Sequence, residues 1–247
     1  MRAVSGQEAS RLRERFTGLR DFLDFLKRRP QTTDHQLIAR AGQEIRERGK
    51  AVSHRFGALD ITVRGVNFRE DITMMGAPCR GFALLDSLDR ELGTDNQAGI
   101  LCCDDSDVVA QLFRRAYPNT VSAANAETIK QHPDNPRFAV DIGAMGFRNS
   151  CFGALVYSEV LSPSPDLPLA LSEAARVLRQ GGVLLATFPF DCLADSAGAS
   201  GVTLDWSILE VSRKAGFATV DMLYLSDPAA GIIGADTDGI FVLRCRA

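Results

Sequence analysis

The chain has 247 residues, a formal net charge of −3 and a sequence pI of about 5.7. A charge so close to neutral provides no basic field to recruit nucleic acid, so we expect a small-molecule or protein partner instead. Hydrophobic residues make up 45% and charged residues 24%, an ordinary balance for a globular chain long enough to bury a core.

Residues 1–57 predict a helical amino-terminal extension. Leu12, Phe16, Leu19 and Phe22 recur at steps of three and four residues, as on one face of an amphipathic helix. Pro30 ends this helix, because proline disfavours the helical conformation in the residue before it.

A second helix is predicted between Asp34, a favourable N-cap residue, and Gly49. The basic residues of the extension could form a phosphate-binding arm. Acidic residues such as Glu14 and Asp21 are interleaved with them, which favours a solvated helical face.

Residues 58–98 are predicted as a lead-in of one strand and one helix. Residues 58–66 alternate between apolar and polar types, which is typical of a strand, and residues 82–92 form a helical pattern. A loop at residues 93–96 comes next and marks a domain boundary.

Residues 99–247 predict a doubly wound, Rossmann-like α/β domain, because apolar strands alternate with helices. Ligands of such sheets bind at the carboxyl ends of the strands. The predicted helices cover residues 107–116, 166–178 and 206–215. The predicted strands cover residues 99–103, 119–123, 137–140, 154–157, 183–188, 217–225 and 239–244.

Other classes of site are disfavoured. The six cysteines form no Cys-x-x-Cys pair and only three histidines accompany them, so no metal site is predicted. Most of the cysteines lie in apolar runs, where reduced thiols behave as small hydrophobic residues. We find no apolar signal region near Met1 and no stretch as long as a membrane span, so a cytoplasmic protein without a membrane partner is predicted.

The central block, residues 152–190, carries a distinctive pattern. A strand and a short loop precede a helix that ends Arg176-Val-Leu-Arg-Gln-Gly-Gly182, and the next strand ends at Pro189-Phe190. This block resembles the class I S-adenosylmethionine (SAM)-dependent methyltransferases. The resemblance implies a Rossmann-like sheet with an antiparallel closing strand, SAM as cofactor, and methyl transfer to a small molecule.

Two further segments are similar to the branch of that family associated with cell-surface carbohydrate biosynthesis. They are Ile100-Leu-Cys-Cys-Asp-Asp105, in which the first strand ends in acids, and Asn67-Phe-Arg-Glu-Asp71. This similarity implies a sugar-type acceptor. The usual Cys-x-x-Cys of the branch is absent.

The resemblance implies cofactor contacts at two strand ends. Asp104 or Asp105 would lie near the methionine part of SAM, although Asp104 could equally serve, with Ser106, as an N-cap of the next helix. Asp141 matches the acid that contacts the adenine amine. Gly143 and Met145 come after it and could pack on the adenine ring, or belong to the loop and core.

The end of the fourth strand supplies the remaining candidates. Glu159 matches an acidic position of the family, and Tyr157 and Ser158 precede it. We take Glu159 and Tyr157 as catalytic candidates for acceptor contact or proton removal, and Ser158 as a cofactor contact. Core packing is the alternative, and the stronger one, for Tyr157.

Three family features are weakened: the glycine-rich loop, the ribose-binding acid, and a Glu-His pair replaced by Ser162-Pro163. Ala123 or Ala124 stands where the ribose acid is expected, and Glu127 could substitute. Three hypotheses are compatible with this pattern. The first is a SAM-dependent methyltransferase and the second a non-catalytic binding protein with this fold. The third, an NAD(P)-dependent oxidoreductase, lacks its phosphate-binding loop. An open pocket between Asp104 and Asp141 would support the enzyme, and a pocket filled by Met145, Phe147 or the amino-terminal helices would support the binding protein.

Overall fold

The computed structural model describes residues 11–93, 98–104, 106–131, 137–162, 164–194 and 203–247. The strands are β1 (Leu12–Phe16), β2 (Lys50–Ser53), β3 (Gly57–Val63), β4 (Ile72–Met74), β5 (Ala77–Pro78), β6 (Ile100–Asp104), β7 (Thr120–Ala124), β8 (Phe138–Ala139), β9 (Phe152–Ser158), β10 (Leu178–Thr187), β11 (Thr219–Ser226) and β12 (Ile240–Arg246). The helices are α1 (Leu19–Arg28), α2 (His35–Arg48), α3 (Phe68–Asp71), α4 (Cys79–Leu92), α5 (Val108–Ala116), α6 (Ala126–Gln131), α7 (Leu167–Val177) and α8 (Ser207–Lys214).

Eight of the described strands form one large sheet, in the order β1-β11-β12-β10-β9-β6-β7-β8. Strands β10, β9, β6, β7 and β8 are parallel, and β12 is antiparallel to both β10 and β11. Every residue of β6 and β9 is buried, as expected for strands covered on both faces. The predicted fold class, a mostly parallel Rossmann-like sheet with an antiparallel closing strand, is confirmed.

Helices cover both faces of this sheet. One apolar cluster joins α1, α7 and α8 to the sheet through residues such as Phe22, Leu171 and Leu209. The other joins α4 and α5 to the opposite face through residues such as Leu84 and Phe113. This arrangement is the doubly wound architecture that alternating strands and helices predict.

The amino-terminal extension, predicted as helical, also contains the strands β1 and β2. Leu12–Phe16 is a strand and not the first turns of a helix, and it pairs antiparallel with β11. The spacing of Leu12 and Phe16 fits a helix, but the chain also alternates Leu-Arg-Glu-Arg-Phe with a period of two. The unpaired edge of β11 selects the strand, since it offers hydrogen-bond partners that no local pattern reveals.

The second predicted helix is confirmed at both ends. Asp34 Oδ1 accepts hydrogen bonds from the backbone N–H groups of Gln36 and Leu37, at 2.9 and 3.2 Å, and so caps the start of α2. Gly49 ends the helix with φ 62°, a left-handed conformation that favours glycine.

Strands β2 to β5 form a second, antiparallel sheet, of which only β3 is predicted. Helix α4 comes after this sheet and packs into the same apolar cluster as β6 and β9. The boundary predicted at residues 93–96 falls largely on residues 94–97, which lie outside the described residues, and the division at residue 98 stays a prediction.

Candidate functional site

A cavity of about 470 Å³ opens at the carboxyl ends of β6, β7 and β8, where the fold class predicts a ligand. We call it the strand-end cavity. Its lining consists of Cys103, Ala124, Asn125, Ala126, Ala139, Val140, Asp141, Ile142, Val160, Ser164 and Pro165. Met145, Phe147 and the amino-terminal helices are not among these residues, so the space between the strand ends is open.

Asp141 comes shortly after β8 and lines the strand-end cavity. Its side chain is exposed, and its Oδ1 accepts a hydrogen bond from the Gly143 backbone N–H at 2.8 Å. Gly143 therefore stabilises the turn that presents Asp141, rather than lining the cavity itself. The structure places Asp141 at the carboxyl end of β8, on the lining of the strand-end cavity.

The loop after Asp141 is held by the last turns of α7. Arg176 donates hydrogen bonds to the carbonyl oxygens of Met145 and Phe147, both at 2.9 Å, and Glu173 accepts one from the Met145 backbone N–H at 3.0 Å. Arg176 also donates to the Glu173 carboxylate, which lowers the pKa of that carboxylate. This ion pair fixes the loop that follows Asp141 to α7.

Asn125 is a candidate that the sequence reasoning missed. It comes directly after β7, lines the strand-end cavity, and its Oδ1 accepts a hydrogen bond from the Thr128 backbone N–H at 2.8 Å. Ala124, which the resemblance assigns to the ribose position, ends the strand one residue earlier. A polar residue between an apolar strand and a helix start was the available clue.

Asp104 is buried against the start of α5 and does not line the strand-end cavity. It is 1% exposed, and its carboxylate accepts hydrogen bonds from the Ser106 hydroxyl and from the backbone N–H groups of Val109 and Ala110, the last two at 2.9 and 3.3 Å. The carboxylate therefore caps α5, which is the alternative that the sequence left open. Asp105 lies outside the described residues.

Further buried charges surround this cap. Asp107 is 1% exposed and pairs with the guanidinium groups of Arg114 and Arg137, at 3.5 and 3.8 Å. Arg137 also donates a hydrogen bond to the Asp104 carbonyl oxygen at 3.3 Å. Charged side chains thus fill the region where the resemblance implies a glycine-rich loop.

Tyr157, Met145 and Ser158 lie inside the protein. Tyr157 is fully buried, its hydroxyl donates to the Met145 sulfur at 3.6 Å, and burial raises its pKa well above the usual range. The Ser158 hydroxyl accepts a hydrogen bond from Arg80. None of the three lines a described cavity, so their placement supports core packing over the catalytic and cofactor roles suggested for them.

Glu159 differs from its buried neighbours. Its φ of 61° places a non-glycine residue in the left-handed region, and its backbone N–H donates to the Thr187 carbonyl oxygen at 3.0 Å. Its carboxylate forms an ion pair with Arg69, and the Arg80 Nε lies at 4.0 Å. Glu70 accepts hydrogen bonds from both arginines, so two acids and two arginines form one network.

Glu159 lines a second cavity of about 780 Å³, which we call the aromatic cavity. The rings of Phe188, Phe190 and Phe241 form its apolar wall. Its polar wall comprises Asn67, Arg69, Glu70, Glu159, Thr203, Asp236 and Thr237. The next residue, Val160, lines the strand-end cavity, so consecutive residues line the two cavities.

Other classes of site find no support within the described ranges. No group of three His, Cys, Asp or Glu side chains is placed to hold a metal ion, and no helix there is long and apolar enough to cross a membrane. Five cysteines are buried and Cys151 is exposed, in keeping with the prediction of hydrophobic thiols. Burial raises the pKa of Cys79 to about 12.

Comparisons with known proteins agree with this geometry. Residues 96–186 match a family model described as a methyltransferase domain. No curated protein matches the sequence. The solved structure of the [4+2]-cyclase SpnF shares 16% identity with a TM-score of 0.51, covering 87% of this chain and 94% of its own.

Two methyltransferase structures are also similar. A SAM-dependent methyltransferase from Thermotoga maritima shares 15% identity, with 68% of this chain and 91% of its own covered and a TM-score of 0.45. A protein from Galdieria sulphuraria named as a sarcosine dimethylglycine methyltransferase shares 14% identity, with 57% of this chain covered and a TM-score of 0.44. The chain spans 63% of that protein's length, which is less than two thirds.

These findings bear on fold and family to different degrees. The likeness to SpnF, at low identity, shows a shared fold and leaves the reaction open, because one fold hosts many activities. The family match covers most of the central block that carries the resemblance, together with β6 and β7. Residues 96–186 therefore resemble a methyltransferase domain, and the chain shares its fold with SpnF.

Proposed function

We propose that this chain is a SAM-dependent methyltransferase, with SAM in the strand-end cavity and a small-molecule acceptor in the aromatic cavity. One observation carries the proposal: the consecutive residues Glu159 and Val160 line the two cavities. Methyl transfer is an in-line displacement, so donor and acceptor must occupy neighbouring sites. Two cavities lined by consecutive residues support that arrangement.

The strand-end cavity suits the adenosine half of SAM. Its volume of about 470 Å³ lies in the range of small-molecule sites, and Ala139, Val140 and Ile142 provide an apolar wall for a planar ring. The Asp141 carboxylate can accept a hydrogen bond from an adenine amine, and Asn125 stands at the end of β7 where ribose hydroxyls are expected. When bound, SAM would supply a methyl group on a positively charged sulfur.

Glu159 is the residue that we propose to contact the acceptor. A non-glycine residue with positive φ costs on the order of 1 kcal/mol, and such strain is concentrated at functional sites. The conformation directs the backbone of Glu159 to Thr187 and its carboxylate to the wall of the aromatic cavity. There it can accept a hydrogen bond, or a proton, from an acceptor hydroxyl or amine, while Arg69 fixes its position.

The lining of the aromatic cavity supports a polar acceptor with an apolar face. Asn67, Thr203 and Asp236 offer hydrogen-bonding groups opposite the phenylalanine rings. A sugar-type molecule has both kinds of surface, so the similarity to the carbohydrate-biosynthesis branch is in keeping with this lining. The sugar-type acceptor rests on that similarity and on the composition of the cavity.

A second candidate function is a binding protein that has lost catalysis. The observation that favours it is the buried cluster of Asp104, Asp107 and Arg137, which fills the region where the family holds the methionine part of SAM. Asp104 is not among the residues that line the strand-end cavity. On this alternative the cavity would bind a ligand without transferring a methyl group.

Calorimetric titration with SAM and with its demethylated product tests the proposal. The informative variant is Asp141→Asn, because an amide oxygen can still accept from Gly143 while the amide nitrogen would oppose the adenine amine. Asp60→Asn is the matched control, since Asp60 is exposed on β3 and outside both cavities.

We expect saturable binding to the wild type and to Asp60→Asn, and about tenfold weaker binding to Asp141→Asn, from the loss of one charge-assisted hydrogen bond. A folded wild-type sample that binds neither ligand would overturn the proposal. Saturable SAM binding without methyl transfer to any of a panel of sugars and small alcohols or amines would favour the second candidate.

A further inference from the structure

The arginines near the amino terminus lie on one face of a strand. Arg13 and Arg15 belong to β1, and Arg11 immediately precedes it. Because side chains alternate along a strand, these three residues lie on the face opposite Leu12 and Phe16, which pack into the apolar cluster. Arg11 and Arg13 contact Asp86 of α4, and Arg15 lies near Asp221 of β11. In a helix the same arginines would be spread around the axis, so their convergence depends on β1 being a strand.

Arg13 and Arg15 border a third cavity, of about 490 Å³, between β1, α4, β11 and β12. Four arginines line it, and we call it the arginine groove: Arg13, Arg15, Arg90 and Arg244. The acids Glu14 and Glu91 and the buried Ser87 also lie along it. The groove and the strand-end cavity lie toward opposite ends of the large sheet, since β1, β11 and β12 are at one end and β7 and β8 at the other.

The acids of this region engage the inner arginines. Asp86 pairs with both Arg11 and Arg13. Arg244 donates hydrogen bonds to the carboxylates of Asp221 and Glu91, each with a donor–acceptor distance of 2.9 Å from one of its nitrogens. These hydrogen bonds raise the pKa of Arg244. The inner part of the groove is therefore rigid and partly neutralised.

The two outer arginines are not engaged in this way. Arg15 reaches Asp221 only at 3.8 Å and Arg90 reaches Asp86 only at 4.0 Å, with side chains 62% and 53% exposed. Within the described residues, neither guanidinium donates a hydrogen bond. Each therefore keeps its planar set of N–H donors for a ligand, the arrangement that binds phosphate oxygens in pairs.

Arg13 at the base of the groove pairs with Asp86 and lies near Arg90 and Arg11. Its Nε is shielded from solvent and has no hydrogen-bond partner among the described residues. Burial, followed by repulsion from Arg90 and Arg11, lowers its pKa to about 10. An anion bound between these arginines would remove that repulsion.

We propose that the arginine groove is a binding site for a small phosphorylated molecule, separate from the methyl-transfer site. The volume exceeds that of a single phosphate ion and lies within the range of small-molecule sites. Arg15 and Arg90 would bind the phosphate group, and Arg13 would add charge from below. The sequence alone favoured a solvated helical face for the basic residues of the extension, whereas Arg13 and Arg15 lie on the strand β1.

Calorimetric titration of the full chain with sodium pyrophosphate, in a phosphate-free buffer, tests this site. The variants are Arg15→Gln and Arg90→Gln, both at exposed positions that leave the core intact. Arg40→Gln is the matched control, since Arg40 is 76% exposed on α2 and lies outside the groove. Thermal unfolding of each variant checks that the fold is retained.

We expect saturable binding to the wild type and to Arg40→Gln, weakening as sodium chloride is added. Each groove variant should bind about tenfold more weakly or worse, since each loses a charge-assisted pair of hydrogen bonds, and each should still bind SAM as the wild type does. Absence of saturable pyrophosphate binding to the wild type, or equal affinity in Arg15→Gln and Arg90→Gln, would overturn the proposal whatever the result with SAM.

Discussion

Asp104 and Asp141 are alike in the sequence, because each lies at the end of a short apolar run that predicts a strand. In the structure they have opposite roles. Asp104 is buried and gives its carboxylate to two backbone N–H groups of α5. Asp141 is exposed, holds only the adjacent turn, and lines the strand-end cavity.

The difference arises from the segment that the chain forms after each strand. Helix α5 begins four residues after Asp104, and its first N–H groups, which have no partner within the helix, point back at the strand end. After Asp141 the chain forms a turn and an irregular loop, and the next helix begins only at Leu167. An acid at a strand end can therefore bind a ligand only where its carboxylate does not cap the start of the next helix.

The largest expected effect comes from Asp104→Ala. Removing this carboxylate leaves buried backbone N–H groups of α5 without acceptors, so we expect the free energy of unfolding to fall by about 3 kcal/mol. Urea denaturation monitored by circular dichroism measures it. A loss below about 1 kcal/mol would show that the cap is not important for stability and would reopen Asp104 as a cofactor contact.

Asp141→Asn should show the reverse pattern. Because Asp141 is exposed and the amide keeps the acceptor for Gly143, we expect the free energy of unfolding to change by less than about 0.5 kcal/mol, while SAM affinity falls about tenfold. The same denaturation and calorimetry measure both quantities. A parallel loss of stability and SAM affinity would mean that Asp141 has a structural role like that of Asp104, and would contradict the proposed difference between the two acids.

Asp238 extends the comparison to an acid without a helix to cap. It accepts a hydrogen bond from the Tyr224 hydroxyl, and burial raises its pKa above the usual range. A raised carboxyl pKa means that folding favours the protonated form. The native state therefore loses stability, relative to the unfolded chain, as the pH rises through the folded pKa.

Asp238→Asn should accordingly stabilise the protein at neutral pH, because the amide still accepts from Tyr224 but carries no buried charge. The gain should shrink as the pH falls and vanish below about pH 4, where aspartate is protonated in both states. Denaturation curves of both proteins across this range give the difference. A gain in the free energy of unfolding that is independent of pH would contradict the explanation that it arises from removing the buried Asp238 charge.

The smallest effect is expected from Tyr157→Phe. The Tyr157 hydroxyl makes a single described contact, with the Met145 sulfur, so its removal should cost less than about 1 kcal/mol of unfolding free energy and leave SAM affinity unchanged. Denaturation and calorimetry again suffice. A marked loss of SAM binding with unchanged stability would support a functional role for Tyr157 in place of core packing.

The alternation of apolar strands and helices in residues 99–247 predicted the sheet and most of its elements correctly, because burial on both faces leaves a pattern that each segment carries itself. Asp34 and Gly49 likewise fix the ends of α2 by local chemistry. The short strands β2, β4 and β5 were missed, since so few residues carry no detectable period.

The candidate site was predictable only in part. The apolar strand before Asp141 predicts that this acid lies at the carboxyl edge of the sheet, and Asp141 lines the strand-end cavity there. Nothing near Glu159 in the sequence indicates that Arg69 and Arg80, about 80 to 90 residues earlier, hold it at the wall of a second cavity.

The sequence by itself therefore determined the α/β class, the methyltransferase-like central block and the edge of the sheet where a ligand is expected, since all three depend on patterns local to one strand or helix. Only the tertiary structure decided which acids face a cavity, that β1 pairs with β11, and that its arginines converge on one groove. Those outcomes depend on which distant elements meet, and a side chain becomes a cap, a ligand contact or a core residue according to the partner placed opposite it.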